Sequence, residues 1–110
     1  MNAMIDEEKA AEALAALGNA TRLRLFRLLV RVGPAGMNTG EVQRRLDIPG
    51  STLNHHVGAL VRAGLVRRER RGREVVCTTD YPAMDALLDF LRAECCAEVA
   101  IAPAESEPAA

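Results

Sequence analysis

The sequence predicts a mainly α-helical domain of about five helices carrying one small β-hairpin. Apolar residues recur at helical spacing through most of the chain. Strand-like runs occur only at residues 65–70 and 73–79, joined at Arg71-Gly72. The breaks Gly33-Pro34-Ala35-Gly36, Ile48-Pro49-Gly50 and Ala63-Gly64 cut the rest into helix-sized pieces. At 110 residues the chain suits one domain, over residues 1–101. The remainder, 102–110, is an acidic tail with too little apolar content to fold.

Each helix has a local reason. Asp6-Glu7-Glu8 can cap the first and complement its positive end. Ala10, Ala13, Leu14 and Leu17 then form a narrow apolar stripe. Gly18-Asn19 ends this helix and starts the second. There Leu25, Leu28, Leu29 and Val32 face inward with Phe26 beside them, while Arg24, Arg27 and Arg31 fall on the other side. Asn38 followed by Glu41 resembles a capping box for a short third helix, 39–46. A fourth helix, 51–62, buries Leu53, Val57, Leu60 and Val61, and Ser51 can cap it. Pro82 suits the first turn of a last helix expected over 82–100.

Residues 51–73, STLNHHVGALVRAGLVRRERRGR, join a helix with small polar residues at its start to a basic hairpin. This is the pattern of a winged helix-turn-helix, whose helix can enter the major groove of DNA while the hairpin grips phosphate. Ser51, Thr52, Asn54 and His55 lie where side chains could reach base edges. Arg44, Arg45 and Arg62 suit phosphate contacts, and Arg70, Arg71 and Arg73 suit phosphate or the minor groove.

The net charge of −1 conceals a segregation. Residues 1–21 sum to −3, residues 22–73 to +9 through twelve Arg against Glu41, Asp47 and Glu69, and residues 74–110 to −7. Such a centre attracts a polyanion, or is simply a solvated basic surface; the hairpin setting favours double-stranded DNA.

Other classes fit less well. No apolar run approaches the ~20 residues that span a bilayer, so no membrane partner is expected. The acidic start lacks the blocks of a signal peptide, which places the chain in the cytoplasm with reduced thiols. Three cysteines cannot all pair within one chain. His55 and His56 are adjacent on a helix and point about 100° apart, so they do not chelate together; His56 suits the edge of the core. Cys95-Cys96 is not the Cys-x-x-Cys of a thiol oxidoreductase, and no phosphate loop or acid/base pair accompanies it. An enzyme is therefore not expected, and no cofactor is required.

Ala20-Thr21-Arg22-Leu23-Arg24-Leu25, the run from Ser51 to Leu60, Ala63-Gly64-Leu65-Val66 and Arg71-Gly72-Arg73 resemble the ArsR/SmtB family of bacterial metalloregulators over about residues 10–92. The resemblance implies a homodimer built from the first and last helices. It also implies repression at an operator and release when an inducer binds. One arsenic-type site of the family has a Cys-x-Cys near the recognition region, but no Cys precedes Cys77 here. A zinc-type site on the last helix needs His with carboxylates; Asp85 and Asp89 are present, but no His follows His56. Cys95 and Cys96 resemble the vicinal cysteines of an arsenic-responsive subset, without the further tail cysteine that some of those carry.

Thiolates select soft ions. Two suit a methylated or otherwise monosubstituted As(III); three suit arsenite or Sb(III). The last helix rises about 20 Å between Pro82 and Cys95, so Cys77 of the same chain is expected far from the pair. If the last helices pair antiparallel, Cys95 and Cys96 could meet the partner's Cys77. Alternatively, Cys95 packs on the apolar face of Met84, Leu87, Leu88 and Leu91, or the cysteines sense oxidants or persulfides.

Overall fold

In the computed structural model, residues 5–99 are described. Five helices and three short strands follow one another as α1 (Glu7–Leu17), α2 (Ala20–Val32), β1 (Met37–Asn38), α3 (Thr39–Leu46), α4 (Gly50–Arg62), β2 (Val66–Arg71), β3 (Glu74–Thr79) and α5 (Tyr81–Arg92). The tail expected to be unfolded from residue 102 lies outside the described residues. Among the described residues no helix is long and apolar enough to cross a membrane.

Side-chain caps explain most helix starts. Asp6 accepts from the Lys9 amide, Asn19 from that of Arg22, Asn38 from that of Glu41 and Asp80 from that of Ala83. Each satisfies an amide that the first turn leaves without a helical partner. Pro82 occupies the first turn of α5, where it has no amide to lose. The core gathers Leu25, Leu28 and Leu29 of α2 with Leu53, Val57 and Leu60 of α4, closed by Leu65, Val66 and Cys77.

The sheet has one strand more than the sequence reading. β1 pairs antiparallel with β3, Met37 opposite Cys77, giving the order β1-β3-β2. Gly36 makes this possible. Its φ is +76°, and a Cβ there would stand 2.6 Å from the Cys77 carbonyl oxygen, closer than atoms pack. The hairpin of β2 and β3 turns through Gly72-Arg73, with Arg71 opposite Glu74 and Gly72 at φ +66°. A positive φ at the first central residue only is the type II′ arrangement, which suits a twisted hairpin.

Four expectations need correction. On α1, Ala10, Ala13 and Ala16 are buried and Leu14 is 42% exposed, so the inward face is rotated from the predicted stripe. Ser51 does not cap α4; the helix starts one residue earlier, behind Pro49, without a side-chain cap. Val61 is half-buried rather than in the core. Finally, α5 ends at Arg92, not near residue 100, and residues 93–98 form successive turns. Cys95 therefore leaves the helix and is exposed, not packed with Leu87 and Leu91.

Candidate nucleic-acid interface and thiol pair

α3 and α4 meet across a tight turn. Asp47 adopts the left-handed conformation at φ 56°, and its amide returns to the Gln43 carbonyl at 2.8 Å. Ile48 is half-buried, and Pro49 sends the chain into α4. Because Pro49 offers no side-chain acceptor, the first-turn amides of α4 stay open at the positive end of the helix dipole. Beside that end stand Ser51, Thr52, Asn54 and His55, all exposed, while Leu53 and Val57 anchor the opposite face. The structure thus brings the four predicted base-edge residues onto one solvent-facing surface.

The arginines divide into occupied and unoccupied sets. Arg44 and Arg45 both bind the Glu41 carboxylate, the latter at 3.1 Å. Hydrogen bonds from Arg44 and then Arg45 hold the Glu41 carboxyl below its ordinary range. Arg71 donates to the Ala35 carbonyl at 3.2 Å and to Glu69 at 3.1 Å, and Arg67 lies 3.9 Å from Asp80. Arg22 is structural: its Nε donates to the Ala16 carbonyl at 2.7 Å, tying α1 to α2. Among the described residues Arg62, Arg68, Arg70 and Arg73 have no carboxylate partner. The charge of +9 over residues 22–73 therefore overstates what a polyanion meets unopposed.

Arg68 was missing from the predicted contacts. Strand alternation places it on the same face as Val66 and opposite Cys77, turned toward α4. There Gly58 leaves room: a Cβ at that position would lie 3.2 Å from an Arg62 nitrogen and 4.0 Å from one of Arg68. Helix and hairpin so present two guanidiniums side by side. The period-two pattern of the hairpin was the signal that could have found Arg68.

His56 packs beside Arg22. Its ring Nδ1 lies 3.5 Å from Arg22 Nη1, and its pKa is lowered by burial, then by the charges of Arg22 and His55. The neutral imidazole is therefore favoured at the joint of α1, α2 and α4.

The three thiols part company. Cys77 lies in the core, fully buried, and burial pushes its pKa up. Cys95 and Cys96 are exposed, with their sulfurs 3.6 Å apart. Glu94 and Cys96 take positive φ of 66° and 60°, folding the segment back on itself. Cys95 beside it raises the Cys96 pKa, first through their hydrogen bond and then through charge repulsion. Among the described residues no three His, Cys, Asp or Glu side chains group to hold a metal ion. The pair forms without Cys77.

Comparison with known proteins points the same way. Residues 17–69 match a family described as a helix-turn-helix domain. The HTH-type transcriptional regulator MJ1325 of Methanocaldococcus jannaschii is 37% identical over 65 residues, which cover 59% of this chain and 71% of that protein. An ArsR-like transcriptional regulator from Rhodococcus sp. RHA1 superposes with a TM-score of 0.68 at 25% identity, over 77% of each chain. Reduced HlyU from Vibrio cholerae superposes at 0.60 with 30% identity, over 78% of this chain and 90% of that one. The family match runs from the end of α1 into β2 and takes in the turn and the uncapped α4 together. The chain belongs to the ArsR family of winged helix-turn-helix transcriptional regulators.

Proposed function

We propose that this regulator acts as a homodimeric repressor in the cytoplasm and leaves its operator when a trivalent arsenic or antimony species binds Cys95 and Cys96. One observation carries the inducer: two exposed sulfurs at 3.6 Å, outside any helix. Adjacent thiolates are a bidentate set for a soft, thiophilic centre. A monosubstituted trivalent arsenical needs two such bonds, which favours it over arsenite. Cys77 has no support as a third ligand, because reaching it requires opening the sheet.

The dimer rests on α1 and α5, which pack together and leave Leu14 and Leu91 exposed at 42% and 55%. A helix turned apolar side outward is a surface in want of a partner. Two copies so joined hold two α4 helices for successive major grooves, about 34 Å apart. A ligand just beyond α5 then acts on the spacing, provided that it binds the released arrangement more tightly.

The test is operator binding followed by fluorescence anisotropy, titrated with phenylarsine oxide, arsenite, antimonite, zinc and peroxide. Release by phenylarsine oxide at low concentration, lost in Cys95→Ser and Cys96→Ser and kept in Cys77→Ala, is the expected result. Release that survives both serine variants would exclude the pair.

An oxidant is the second reading, favoured by the same 3.6 Å approach. Peroxide would take one hydrogen from each thiol, forming a disulfide and two waters. Release by peroxide and not by the arsenical would select it.

A further inference from the structure

Between α2 and α5 runs a groove of about 410 Å³ that neither the operator contacts nor the thiol pair uses. Its α2 wall consists of Leu23, Phe26, Arg27, Val30 and Arg31, spaced i, i+3, i+4, i+7 and i+8 along one face. This face adjoins the one that Leu25, Leu28 and Leu29 turn to the core, and buried Phe26 belongs to both. Met84, Leu87 and Leu88 supply the α5 wall, and Leu65 the floor. The volume falls within the roughly 300–1,000 Å³ of small-molecule sites.

The lining is apolar apart from two guanidiniums. Arg27 and Arg31 stand one helical turn apart, so their heads reach the same stretch of the rim. Both are exposed, and neither has a carboxylate partner among the described residues. Leu23 and Leu88 remain 42% and 46% exposed along the groove. Unpaired cations at the mouth of an apolar trough specify a ligand of two parts: an anionic head for charge-assisted hydrogen bonds and an apolar body for the walls. A purely apolar segment would leave the guanidiniums unanswered. A polyanion would leave the leucines wet.

We propose that this groove binds an amphipathic carboxylate, a medium-chain acyl or aromatic acid, with the carboxylate on Arg27 and Arg31 and the apolar body against Phe26, Met84 and Leu88. The site does not depend on the thiols and stands or falls apart from the arsenical reading.

The experiment uses the full chain with decanoate, and decanol as the uncharged control. Binding is read by displacement of 1-anilinonaphthalene-8-sulfonate, itself an apolar body with an anionic group, and by methyl chemical shifts of the groove leucines. Decanoate should displace the dye at one site per chain and move the Leu23, Leu65, Leu87 and Leu88 methyls. Decanol should bind at least about tenfold more weakly, as the loss of charge-assisted hydrogen bonds implies. R27Q/R31Q should weaken decanoate by a similar factor and leave decanol unchanged. Both positions are exposed, so the fold should survive; an unchanged circular dichroism melt checks this. Leu88→Gln should weaken both probes, and Cys95→Ser with Cys96→Ser should alter neither. Equal affinity for decanol and decanoate, or an unaffected R27Q/R31Q protein, would overturn the proposal. So would binding that disappears as protein concentration rises, which would assign the groove to a second copy of this chain.

Discussion

Cys77 and the Cys95–Cys96 pair carry the same functional group in opposite circumstances. Cys77 sits on the middle strand of the sheet, flanked by β1 and β2, with its side chain in the core. The pair lies past the last helix, in turns open to water. The difference teaches that a cysteine's chemistry is assigned by what surrounds it. One thiol acts as a small apolar side chain, and the other two can meet a reagent.

The largest expected contrast is kinetic. Native protein treated with iodoacetamide should gain two carbamidomethyl groups quickly, on Cys95 and Cys96. Cys77 should lag by on the order of a thousandfold or more, since it reacts only when the sheet opens. Intact-mass spectrometry against time, with a denatured sample reaching three, checks this. Comparable rates at all three sites would erase the contrast.

Stability sharpens it next. Cys77→Ser places a hydroxyl in a fully buried site and should cost about 1–3 kcal/mol in urea unfolding. Cys95→Ser and Cys96→Ser should each stay within about 0.5 kcal/mol of the parent.

Alkaline pH gives a smaller separation. Burial raises the Cys77 pKa, so the folded chain keeps a proton that the unfolded chain releases at an ordinary thiol value. Stability from this source is whole below that value and is lost as pH climbs from it to the raised folded pKa, by at most about 1.4 kcal/mol per pH unit. Cys77→Ala should remove that part of the slope, as measured by urea unfolding at stepped pH. The smallest effect concerns neighbours: Cys95→Ser should move the pH profile of Cys96 alkylation downward, because the sulfur that raises its pKa is gone.

The elements with local causes were legible in the sequence. Asp6, Asn19, Asn38 and Pro82 mark helix starts through their own side chains or ring, and the structure uses all four. Elements set by distant partners were not. β1 is two residues long and exists only because β3 lies alongside, so no periodicity announces it. The end of α5 was missed for a related reason. Ala93, Glu94 and Ala97 are good helix formers with no breaker among them. Helices hold mainly by burying one face, and among the described residues none after Leu87 is buried. Of the candidate contacts, the exposed polar residues on α4 follow from helix spacing. The pairing of Arg44 and Arg45 with Glu41 depends on side-chain geometry that spacing allows without requiring.

Glu41 has a consequence for how the reading head treats nucleic acid in general. Its carboxylate already engages both guanidiniums, so under the proposed operator contact a phosphate would gain from Arg44 and Arg45 only the difference between two anions. An operator that also engaged α4, as proposed, would have further contacts with which to displace the resident carboxylate. Under that proposal the residue would be a built-in competitor, lowering what backbone charge alone can contribute to binding.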